Sequence, residues 1–141
     1  MRILALDVDG VRLDPDRAGA GHWTIEMERG FGITRSQFRE AFFMTMWDDL
    51  INGRRPIEGA VAEALCILNA AVDVEDVLQV WFEADFTPID SAIAVGRRAA
   101  ADGCRVVLAT NQEHRRAAFL RVRLAAHRGG GRPARRRGVR R

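Results

Sequence analysis

Ile3-Leu4-Ala5-Leu6-Asp7-Val8-Asp9-Gly10 sets four consecutive apolar residues ahead of two carboxylates one residue apart and a glycine. A short, unbroken apolar run marks a strand buried on both faces of a parallel sheet, because crossover helices cover both sides. A second run of this kind, Val106-Val107-Leu108-Ala109, ends in Thr110-Asn111. Two such strands joined by helical connections predict an α/β fold with a doubly wound parallel sheet. In such sheets ligands bind beyond the carboxyl ends of the strands, where Asp7, Asp9, Thr110 and Asn111 fall.

Between the two runs the pattern changes period. Residues 11 to 23 read as a loop, with Asp14-Pro15-Asp16, Gly19 and Gly21 as breakers. Thr34 and Gln37 make a capping box, and Phe38, Ala41, Phe42, Met46 and Leu50 follow at helical spacing until Gly53. Pro56 opens a second helix with Val61, Ala64, Leu65 and Leu68 on one face. Asp73 caps a third with Val77, Leu78 and Trp81. After Pro88, Asp90 is read as the cap of a helix over residues 91 to 101, Asp102-Gly103 stops it, and another helix is expected directly after Asn111. The cluster Phe38, Phe42, Phe43, Met44, Met46 and Trp47 reads as helix packing. Cys66 and Cys104 show no CxxC or CxxH spacing and are expected to be buried, reduced thiols, while His22, His114 and His127 share no ligand spacing.

The length of 141 residues and an apolar content of 48% suit one globular unit. No apolar run is long enough for a membrane span, and Asp7 interrupts the first run too early for a secretory signal, so a soluble, cytoplasmic protein is expected. The net charge of +3 conceals a split. Residues 1 to 114 hold all 19 acidic residues and 11 of the 22 arginines, a net −8, whereas residues 115 to 141 hold the other 11 arginines and no acid, a net +11. The sequence contains no lysine.

The carboxylates specify a chemistry. An aspartate at a strand end can attack phosphorus and form an aspartyl-phosphate, which divides one hard displacement into two easier ones. Asp7 suits that role. Asp9, two residues on, points to the same side of an extended chain and can protonate the leaving oxygen, then deprotonate water. Two carboxylates facing a phosphate dianion call for a hard cation, for which Mg²⁺ fits best. Gly10 lets the backbone turn beside the substrate, Thr110 offers a hydroxyl, and Asn111 with the following amides stands at a helix N-terminus that favours phosphate. A calcium loop is excluded, because an EF-hand needs glycine at its sixth position, which counted from Asp7 is Arg12.

Asp7-Val8-Asp9-Gly10-Val11 resembles the first motif of the haloacid dehalogenase superfamily, Asp-x-Asp-Gly-(Thr/Val), and Val107-Leu108-Ala109-Thr110-Asn111 resembles its second. The resemblance covers roughly residues 1 to 124. It implies a Rossmann-like core over residues 1–14 and 88–126, a helical cap inserted over residues 15–87, and Mg²⁺-dependent hydrolysis of a small phosphorylated metabolite. By the same resemblance Asp7 is the nucleophile and a metal ligand. Asp9 is the acid/base and ligates Mg²⁺ through its backbone carbonyl, and Thr110 binds the phosphoryl group. Members that are true dehalogenases lack the second aspartate, so Asp9 points to a phosphatase.

The far end departs from the family. The third-motif cation and the fourth-motif aspartates have no counterpart, since no acidic residue follows Glu113. The core is therefore expected to be incomplete at its C-terminus, which raises the alternative of a catalytically inactive fragment. The Arg/Gly-rich residues 127–141 read as a disordered tail with the composition of a shifted reading frame in a GC-rich gene. Their arginines offer a further alternative, nucleic-acid binding through the tail alone.

Overall fold

The two apolar runs find each other. The computed structural model describes residues 1–11, 13 and 22–127. β1 (Ile3–Leu6) and β2 (Arg105–Leu108) pair in parallel, Ile3 opposite Arg105 and Leu6 opposite Leu108. Among the described residues seven helices accompany them: α1 (His22–Phe31), α2 (Arg35–Phe38), α3 (Met44–Ile51), α4 (Ile57–Ile67), α5 (Val74–Ala84), α6 (Asp90–Ala101) and α7 (His114–Ala126). A π-helical turn, Arg39–Phe43, joins α2 to α3, and within it the carbonyl of Ala41 accepts the Thr45 hydroxyl at 2.7 Å.

Local signals set several helix starts. Thr34 and Gln37 form the expected capping box on α2, Pro56 precedes α4, and the Asp73 carboxylate accepts the Glu75 amide at 2.7 Å to cap α5. Two starts differ from the reading above. Ile89, not Asp90, is the N-cap of α6, and Asp90 lies in its first turn. Helix α7 begins at His114 rather than directly after Asn111, and Glu113 is its cap.

The doubly wound sheet is not what forms. The described residues are 62% helical, with only two short parallel strands among them. Other continuous apolar runs, such as Ala92-Ile93-Ala94-Val95 and Ala64-Leu65-Cys66-Ile67, lie in helices α6 and α4 rather than in further strands. The chain's other apolar residues recur at helical spacing and bury themselves helix against helix. The larger core accordingly lies among α1 to α5, where Phe38, Phe42, Leu50, Ile57, Val61 and Leu78 are buried and Trp23 stacks on Trp81 at 5.2 Å between ring centroids. Phe43 and Trp47 pack at its margin, as packing residues should, but Met44 is exposed.

A smaller core joins Val8, Leu13, Ile93, Leu120 and Leu124 beneath the strand ends. Helix α6 lies on the sheet at Gly96, where a Cβ would stand 3.2 Å from Leu6 Cδ1, so a side chain there would require Leu6 to give by a few tenths of an ångström. With two strands, the sheet leaves apolar residues in solvent: Ile3 is 59% and Leu108 38% exposed. Cys66 is exposed and Cys104 half-buried, against the expectation of burial, and both are free thiols. No helix among the described residues is long and apolar enough to cross a membrane. The expected boundary near residue 14 and the arginine-rich segment 128–141 lie outside the described residues.

Candidate functional site

Parallel pairing brings the ends of β1 and β2 side by side. The Ala109 amide donates to the Leu6 carbonyl at 2.9 Å, so Asp7 leaves one strand beside the point where Ala109 and Thr110 leave the other. Asp7 is exposed, and its Oδ1 accepts the amide of Val8 at 2.7 Å. Val8 is fully buried and roots the loop in the smaller core. Beyond it the chain folds back: the Gly10 amide donates to the Leu13 carbonyl and the Leu13 amide to the Val8 carbonyl, both at 2.8 Å. Gly10 makes this turn with φ of +75° and has nothing within 4 Å of where a Cβ would stand. Its contribution is the backbone turn, and no close approach of another group requires it.

Asp9 is held on both oxygens. Gln112 Nε2 donates to Oδ2 at 2.6 Å, and Arg116 Nη2 donates to Oδ1 at 3.2 Å. The same Gln112 nitrogen lies 3.4 Å from Thr110 Oγ1, so one side-chain amide bridges the β1 loop to the residue expected to bind phosphate. Asn111 is exposed. Among the described residues no hydrogen bond joins Asp7 to Asp9, Thr110 or Asn111. Sequence spacing thus located Asp7, Asp9, Thr110 and Asn111 at one end of the strand pair, and the link between Asp9 and Thr110 runs through Gln112.

Arg116, Gln112, Glu113 and Asp85 are additions that the linear pattern did not reveal. Arg116 is buried, and besides Asp9 it meets Asp85 Oδ2 at 2.5 Å. Asp85 is the C-cap of α5. Burial pushes its carboxyl above the ordinary range; the charge of Arg116 opposes that shift and the charge of Asp9 adds to it. Glu113 turns its carboxylate onto the first turn of α7, accepting the Arg115 amide at 2.8 Å and the Arg116 amide as well. Those two amides, expected to be open to a phosphate, are therefore already bonded to an anion of the chain itself. A glutamate immediately before a helix was the one local signal for this, and it is a weak one, since aspartate, serine and threonine are the usual caps.

An apolar cleft of about 640 Å³ borders the site, lined by Val8, Val107, Thr110, Gln112, His114 and Arg121 among others. Neither Asp7 nor Asp9 lines it, so the cleft adjoins the carboxylates without containing them. Gln112 Oε1 is buried there with no hydrogen-bond partner. As donors for a divalent cation the loop offers the exposed Asp7 carboxylate and neighbouring main-chain carbonyls, and among the described residues no three His, Cys, Asp or Glu side chains converge. That donor set fits Mg²⁺, which retains waters and is commonly held by one or two carboxylates plus substrate phosphate, better than a metal that needs a closed protein cage. No family model matches the chain, and no curated protein or solved structure matches it.

Proposed function

We propose that the chain hydrolyses a small phosphomonoester through an aspartyl-phosphate on Asp7, as the resemblance to haloacid dehalogenase-type phosphatases implies. The observation that carries this reading is the meeting of Asp7 and Asp9 with Thr110 at the same end of two parallel strands, Asp9 and Thr110 sharing one Gln112 nitrogen. In the first step an Asp7 oxygen bonds to phosphorus, the bond to the leaving oxygen breaks, and Asp9 gives that oxygen a proton. In the second step Asp9 takes a proton from water as its oxygen bonds to phosphorus and the Asp7–phosphorus bond breaks, regenerating the carboxylate. The Thr110 hydroxyl donates to a phosphoryl oxygen throughout. Mg²⁺ held by Asp7 and the Asp9 carbonyl supplies charge neutralisation when bound. A cytoplasmic compartment, where small phosphorylated metabolites are found, completes the reading.

One further observation favours a second reading, a fold of this type without turnover: both Asp9 oxygens and the first α7 amides are already engaged within the chain. Release of phosphate from an aryl phosphate separates the two. The enzyme reading expects Mg²⁺-dependent turnover that falls by roughly a thousandfold or more in Asp7→Asn, because the side-chain amide of asparagine is a far poorer nucleophile than the carboxylate. A folded wild-type chain that releases no phosphate above background overturns it. Nucleic-acid binding through residues 128–141 concerns a segment outside the described residues; nucleic-acid binding strongly weakened by salt is its signature.

A further inference from the structure

We infer that Arg116 and Gln112 are positioning residues that together clamp the Asp9 carboxylate, reserving it for proton transfer and keeping it out of the ligand shell of a cation at Asp7. The job of Asp9 and the cation at Asp7 rest on the phosphatase reading; the clamp itself rests on observed contacts.

Arg116 reaches Asp9 from beneath. Its side chain is 9% exposed, and the same Nη2 that meets Asp9 Oδ1 at 3.2 Å meets Asp85 Oδ2 at 2.5 Å. A buried guanidinium is costly to desolvate unless carboxylates surround it, and here two do. Its guanidinium is permanently charged, so one nitrogen gives both carboxylates a charge-assisted contact. Because Asp85 caps the C-terminus of α5, the clamp is anchored in the helical layer rather than in the loop it restrains.

Gln112 completes the clamp from the other side. Its Nε2 donates to Asp9 Oδ2 at 2.6 Å while its own Oε1 remains buried and unpartnered. A side-chain amide that tolerates one unsatisfied atom to make such a bond is oriented by that bond. An ionised carboxylate offers about four acceptor positions, so the two contacts leave others open to a proton. Without them Asp9, two residues from Asp7, is free to turn its anionic oxygens to a hard cation, which favours such ligands. A carboxylate spent on the cation no longer shuttles protons. Neither Arg116 nor Gln112 meets the reacting atoms in this scheme; both act through Asp9, and the Gln112 nitrogen also lies 3.4 Å from Thr110 Oγ1.

The test is calorimetric titration of Mg²⁺ alone into the full chain, alongside aryl phosphate kinetics, for wild type, Gln112→Ala and the neutral-pair variant Asp85→Asn/Arg116→Gln. Releasing Asp9, with no net change of charge at the Arg116–Asp85 pair, should tighten Mg²⁺ binding roughly tenfold in the neutral-pair variant and by about threefold in Gln112→Ala. In an active chain kcat should fall about 10- to 100-fold with KM within about twofold. Mg²⁺ affinity that is unchanged, weaker or undetectable in the variants overturns the clamp, as does an unchanged kcat in an active chain. Gln112→Ala leaves the Arg116–Asp85 pair intact and carries the test if the neutral-pair variant fails to fold. Tighter Mg²⁺ binding in a chain without turnover supports the clamp and overturns the phosphatase reading, so the two fail separately.

Discussion

Gly10 turns the β1 loop with φ of +75°, and the space around it is empty to 4 Å. Alanine there meets backbone strain but no clash. Gly10→Ala should therefore cost about 1–2 kcal/mol, read as a lowered urea midpoint with an unchanged m-value. A cost above about 3 kcal/mol would point to a contact the geometry lacks. At this scale the candidate residues were legible and their partners were not. Asp7, Asp9 and Gly10 stand together in the sequence after an apolar run, so their common location follows from strand geometry alone. Gln112 and Arg116 meet Asp9 across 103 and 107 positions. Nothing within a few residues of either one encodes that meeting.

At the scale of the element, helix α7 shows how far local signals reach. Glu113 caps it from a buried position, accepting the amides of Arg115 and Arg116. Glu113→Ala should lower stability by about 0.5–2 kcal/mol, and Glu113→Ser should recover part of the loss, both measured by denaturant unfolding. A silent alanine variant would mean that tertiary contacts alone hold the first turn. The caps at Thr34 and Asp73 were readable because a cap bonds an amide two or three residues on. Asp90 has the right type for a cap but stands one residue inside α6, and its Oδ1 lies 2.8 Å from His127 Nε2 instead. Residue type nominates a cap; the backbone angle at that residue decides whether it serves as one.

Over the whole molecule, α7 unites the acidic body with the first of the C-terminal arginines. Arg115 pairs with Glu58 and Glu75, Arg116 with Asp9 and Asp85, and Arg123 with Glu83. Arg115 holds the Glu75 carboxyl below its ordinary value of 4.5. A depressed carboxyl contributes stability that is present above pH 4.5 and lost as pH falls through its lower folded value. Asp85, raised by burial, works in the opposite sense, its contribution being present below its ordinary 3.8 and lost as pH rises through its raised value. Glu75→Gln should therefore lower the urea midpoint at pH 7 and shrink the drop between pH 7 and pH 3. An equal acid-induced drop in both proteins would show that the Arg115–Glu75 pair does not couple folding to pH.

The sequence by itself determined where the two strands lie, which segments coil, and that Asp7, Asp9, Thr110 and Asn111 share the strand ends. Each of those follows from the spacing of residues a few positions apart. Only the tertiary structure decided that two strands make the whole described sheet, that most apolar surface is buried between helices, and that Asp9 is gripped by α7. Such outcomes depend on which distant surfaces pack together, and periodicity within one segment records which face is apolar without naming what will cover it.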